Sequence, residues 1–210
     1  MKLFGFKSKD RDGGQKKTSE RAGGNEELLR VLKDGSYYEA AAAAEKLVSL
    51  KDYSGMNLMI TRMNNDRMAV PLSRIPDEAV VLPLILAISE YAILNLNVST
   101  GSERFSARSA ADIFRNLLWN VPDKAIAYIA EIADYHFFFM KDGELLYTVG
   151  QKAFGAHLDR PDLIASAARD ALAKVPEEQR RASLDREKPN YRKVDNRVTK
   201  QEIRNLLYQK

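Results

Sequence analysis

The stretch "YIAEIADYHFFFM", residues 128–140, comes nearest to an active-site signature: it places His136 shortly after Glu131 and Asp134. An imidazole beside carboxylates suits general acid–base work and, with further ligands, a zinc ion. Whether the three groups can cooperate depends on where the backbone points them. If 123–140 forms one helix, each residue turns about 100° around the axis. Measured from Ala125, Ile129, Ile132, His136 and Met140 then fall within about 60°, while Glu131 lies near −120° and Asp134 near 180°. The sequence thus predicts a helix buried on most sides, with His136 hydrogen-bonded on its apolar stripe and both carboxylates facing away.

Other catalytic patterns fail sooner. His157, the only other histidine, lies beyond a different helix, so the two do not form the i, i+4 pair that grips a metal in H-E-x-x-H. No G-x-S-x-G elbow occurs, and Ser106 and Ser109 in "RFSARSAAD" have no histidine near them in sequence. "GQKAFGAH", from Gly150, has the glycine spacing of a phosphate-binding loop but Ala156 and His157 where Lys and Ser or Thr are needed. Cysteine is absent, which excludes disulfides and thiolate-held metals. No catalytic residue, metal ligand or cofactor is assigned, and the reading leans away from an enzyme. Acids on separate helices can still converge without leaving a sequence trace. "RRASL", Arg180 to Leu184, is a basic-residue kinase pattern that would make Ser183 a phosphorylation site in an exposed tail.

Binding chemistry is better represented than catalysis. Residues 1–24 hold 7 Lys/Arg against 3 Asp/Glu and residues 177–210 hold 10 against 6, so two tails of +4 flank a body of −4. Basic arms are drawn to phosphate-bearing surfaces, although lysine-rich ends can also stay solvated. In "MKLFGFKSK", Leu3, Phe4 and Phe6 are candidates for insertion into a membrane whose anionic headgroups Lys2, Lys7 and Lys9 would attract. In "TKQEIRNLLYQK", Thr199 and Glu202 have capping-box spacing, and Ile203, Leu206 and Leu207 form one short apolar face, a candidate partner-binding or self-docking helix. The acidic body shows no basic recognition helix, so nucleic acid is the less favoured partner.

The elements that must position these groups are helical throughout. "SYYEAAAAAEKLVSL" opens with Ser36 and Glu39 as a capping box and continues through five alanines, the best helix formers. It is expected to pair antiparallel with the preceding helix, which runs from Asn25 to a stop at Gly35. A weaker helix should end near Asn64 and Asn65. Three helices should start at Pro76-Asp77, Pro122-Asp123 and Pro161-Asp162, because proline and an acid both suit a first turn. The spacing of these starts is compatible with helical repeats. Pro83 should kink or delay its helix. Further helices are expected at 106–119 and 144–156, and no convincing strand. The apolar run "AVVLPLILAI", 79–88, is half the roughly twenty residues a spanning helix needs and is read as core.

The chain is accordingly expected to be an all-α protein of seven to nine helices, a bundle or short α–α stack that can bury its own core. A disordered basic segment, 1–24, would precede a helical domain, 25–176, and a basic tail, 177–210, whose first part is too polar to fold alone. The expected function is a non-enzymatic scaffold or adaptor for a protein partner, cytoplasmic and possible at a membrane periphery. The alternatives are a peripheral membrane module using the amino terminus and a nucleic-acid-associated protein using both tails.

Overall fold

The computed structural model describes residues 13–94, 106–141, 144–148, 159–187 and 192–193. Contacts divide the chain into two compact units, Met1–Gly55 and Met56–Lys210, a boundary the sequence reading did not place. Among the described residues the protein is mostly helical, and no helix is long and apolar enough to cross a membrane.

The first unit contains α1 (Gly13–Asp34) and α2 (Tyr37–Ser49). The backbone is already helical from Gly13, which corrects the expected linker at 13–24. Straight-chain Gln15, Lys16, Lys17, Glu20 and Arg21 cost little in a helix, so a turn nucleated downstream extends back through them. Helix α1 ends as predicted. A Cβ on Gly35 would stand 2.6 Å from the Val31 carbonyl oxygen, a contact only glycine avoids. The capping box is complete: Glu39 N–H donates to Ser36 Oγ, and Ser36 N–H donates to Glu39 Oε2 at 2.8 Å. Ala40, Ala41, Ala43, Ala44, Leu47 and Val48 form the buried face of α2, and Leu32 of α1 is fully buried. Asn25 Nδ2 donates to Asp52 Oδ2 at 2.6 Å, joining the outer part of α1 to the exit of α2, so the pair is antiparallel.

Helix α2 leaves through a left-handed residue. Lys51 has φ 58°, its N–H donates to Val48 O, and Asp52 N–H donates to Leu47 O, both at 3.0 Å. This is a Schellman turn with lysine in the position glycine usually takes.

The second unit begins with α3 (Met56–Arg62) and α4 (Asp66–Leu72), the latter unforeseen and capped by Asn65, whose Oδ1 accepts from Arg67 N–H. A 3-10 turn, Glu78–Val80, is capped by Asp77 and leads into α5 (Val81–Leu94), so Pro83 falls in the first turn, where it is tolerated. Leu84, Ile85 and Ile88 of α5 are fully buried, as the apolar run predicted. Helices α6 (Ala107–Asn120), α7 (Pro122–Ala133) and α8 (Asp159–Leu172) pack on one another; α7 starts at the predicted Pro122-Asp123, and α8 is already helical at Asp159, with the predicted Pro161-Asp162 inside its first turn.

Two expectations are corrected. Residues 137–141 and 144–148 form paired strands, not helix: β1 (Phe137–Lys141) pairs antiparallel with β2 (Glu144–Thr148), Phe139 opposite Leu146, and β3 (Arg192–Lys193) adds in parallel to β2. The deciding term is burial. Phe137, Phe138 and Phe139 are at most 2% exposed, each worth about 1.5–3 kcal/mol, whereas helix propensities differ by under about 0.7 kcal/mol per residue. Strand β1 lies on α5, and Phe138, on the face opposite its two neighbours, meets Tyr128 of α7 edge-on at 5.2 Å. The second correction is α9 (Glu177–Arg186), a helix packed on α7 where an unfolded polar tail was expected. Few apolar groups are needed because specific polar bonds to α7 supply the docking.

Candidate functional site

The end of α7 brings together what the sequence analysis separated. Helix α7 stops at Ala133, Tyr135 takes a left-handed φ of 64°, and the chain reverses in a second Schellman turn. Tyr135 N–H donates to Ile132 O at 3.0 Å and His136 N–H to Glu131 O at 2.8 Å. The reversal carries His136 back over the last helical turn, so its Nδ1 lies 2.7 Å from Glu131 Oε2. The prediction that Glu131 faces away from His136 is therefore overturned: it required a straight helix through residue 140. Nor is His136 a core residue, since its side chain is 29% exposed and that of Glu131 26%.

A carboxylate on Nδ1 orients an imidazole as in a general-base dyad. The neighbouring groups serve the turn instead. Tyr135 OH donates to Asp162 Oδ1 of α8, Arg169 stacks over the Tyr135 ring at 5.4 Å, and Arg169 Nη1 donates to Ala133 O at 2.8 Å. Two of these contacts hold the strained residue itself and the third holds the helix end just before it. Among the described residues no group of three or more His, Cys, Asp or Glu could hold a metal ion.

Ser106 caps α6, accepting from Ser109 N–H, and Ser109 Oγ donates to Asp66 Oδ2 at 2.7 Å. Both serines have structural partners. Ser183 is fully buried and donates to Asp123 Oδ1 at 2.9 Å, and Arg186 Nη2 donates to the same oxygen at 3.1 Å. This corrects the exposed phosphorylation site: the kinase pattern forms part of a docked helix. Lys2, Leu3, Phe4, Phe6, Lys7, Lys9, Ile203, Leu206 and Leu207, with His157 and the glycine-rich stretch from Gly150, lie outside the described residues.

The sequence reading missed the most exposed large apolar side chain among the described residues. Trp119, the only tryptophan, is 87% exposed. It stands on the face of α6 opposite buried Ala110, Ile113, Phe114 and Leu117, in one row with Arg108, Asp112 and Arg115. The signal was present, since Trp119 lies about 200° from Leu117 on a helical wheel. No family model, curated protein or solved structure matches this chain.

Two grooves accompany these features, one in each unit. The first, about 570 Å³, lies between α1 and α2, with Leu28 and Leu50 as apolar walls and Lys46 and Lys51 as cations. The second, about 240 Å³, runs along α9 and includes Ile126, Leu172 and Arg180.

Proposed function

We propose that the protein is a helical scaffold or adaptor whose α6 face binds a protein partner. The observation that carries this reading is the 87% exposure of Trp119 on a helix whose other face already supplies its share of the core. The fold gains nothing from a tryptophan in water, whereas Trp and Arg are the side chains that most often dominate binding energy at protein interfaces. Arg115 stands one turn from Trp119 and pairs with Asp112 at 2.8 Å, a charged flank to an aromatic anchor.

Because the chain has one tryptophan, its fluorescence reports on this face alone. A photo-crosslinking residue at 119 should capture one defined partner. Purified, that partner should shift the emission of the unmodified protein to the blue and shield it from iodide, and Trp119→Arg should abolish binding without unfolding the chain. A partner that binds Trp119→Arg as tightly as the original protein would refute the proposal. So would a blue shift produced by anionic vesicles and by no protein, which would support the membrane alternative.

A further inference from the structure

The groove along α9 holds a polar atom the fold does not satisfy. Its walls are Ile126 and Ala130 of α7, Leu172 of α8 and Leu184 of α9, and its charged groups are Glu177, Arg180 and Arg181. Glu177 is engaged with Arg181 one turn along the same helix. Arg180 has no such partner: its Nε is buried and makes no hydrogen bond, and its guanidinium forms no ion pair among the described residues. Arginine cannot discharge this cost by losing a proton, as a buried lysine can.

We infer that the α7–α9 groove binds a carboxylate side chain of a partner protein, flanked by aliphatic residues, with Arg180 as the fork that receives it. Three observations select this occupant. One acid is already spent on one of the two arginines in the lining, so an excess positive charge faces the groove. Four aliphatic side chains line the walls, suiting leucine or isoleucine beside the acid. The volume of about 240 Å³ is below the roughly 300–1,000 Å³ of small-molecule pockets and fits one or two inserted side chains. Arg180 is half-buried and its Nε is covered, so a carboxylate engages the terminal nitrogens first and reaches the Nε–H, the second donor of the planar fork, as the side chain turns into the groove. The inference rests on the reading of the chain as a protein-binding module and assigns a chemistry to a groove distinct from the Trp119 face.

The Nε–H of Arg180 is observable by nitrogen–proton correlation NMR on the full chain and can be assigned with Arg180→Lys. The probe is a blocked peptide of alternating leucine and glutamate, compared with the same peptide carrying glutamine and with acetate. The glutamate peptide should shift the Arg180 resonance saturably, and Arg180→Lys should weaken binding about tenfold or more, the loss of a charge-assisted pair. Ala130→Leu, which fills the groove and leaves the arginine in place, should block the shift. An unmoved resonance at millimolar peptide, an equal shift with the glutamine peptide, or an equal shift with acetate alone would each overturn the assignment. If the partner captured at residue 119 binds Arg180→Lys undiminished, the groove assignment fails while the scaffold reading stands.

Discussion

Replacing Ser183 tests the docking of α9, because one buried hydroxyl ties that helix to the first turn of α7. Ser183→Ala removes a hydrogen bond to a carboxylate, an interaction worth about 1.5–3 kcal/mol when buried. Asp123 is 41% exposed and keeps Arg186, so water recovers part of the loss and the expected cost falls to about 1 kcal/mol. Ser183→Glu is a different perturbation. It forces a larger, charged group into a fully buried site facing Asp123, where overpacking and an unpaired charge together should cost about 3 kcal/mol or more. Urea denaturation followed by circular dichroism gives the two costs, and amide exchange shows where they fall. Protection over 177–186 should be lost in Ser183→Glu while the β1–β2 hairpin stays protected. A double-mutant cycle of Ser183→Ala with Asp123→Asn should return a coupling of about 0.5–1 kcal/mol. A basophilic kinase should modify Ser183 in the urea-unfolded chain and not in the folded one. Ser183→Glu within about 0.5 kcal/mol of the original protein, the range of an ordinary surface change, would refute the reasoning, as would equal phosphorylation of folded and unfolded chains.

Other outcomes follow from the two left-handed residues and from the first unit's carboxylates. Lys51→Gly should stabilise the protein by about 0.5–1 kcal/mol in urea denaturation, since it relieves a conformation that favours glycine and removes no contact the core needs. Tyr135→Gly relieves the same strain but deletes the bond to Asp162 and the Arg169 stack, so it should instead destabilise by about 1 kcal/mol. The Ser54 hydroxyl and N–H, and then Asn25, hold the Asp52 carboxyl below its ordinary range, and Ser36 does the same for Glu39. Both groups bind their protons less tightly when folded, so their contribution is present above the ordinary carboxylate range and is lost as pH falls through the lowered folded values. Acid titration by circular dichroism should therefore show weakening there, and Ser54→Ala should flatten it. Burial, with a smaller contribution from Glu187, raises the Tyr128 phenol; stability from its neutral form should persist to about pH 10 and decline above it, a fall absent in Tyr128→Phe.

Features decided within three or four residues were legible in the sequence. Ser36 and Glu39 make their reciprocal bonds whatever surrounds them, and Pro122-Asp123 opens α7 because a first turn has no intrahelical partner for the missing N–H. The apolar run of α5 announced its burial in the same way. The hairpin, α9 and the His136–Glu131 pair were not legible, because each depends on groups distant in sequence. Phe137 to Phe139 become a strand because α5 and Tyr128 are placed to bury both faces, a gain that exceeds any local preference. Once α7 stops at Ala133, the turn at Tyr135, braced by Asp162 and Arg169 of α8, brings a carboxylate and an imidazole together although a helical wheel sets them far apart. Ser183 reads as an exposed kinase target until Asp123, 60 residues earlier, accepts its hydroxyl. Local sequence fixes where backbone bonds begin and end at small cost. The larger energies of burial, available only when distant elements meet, decide what those bonds become.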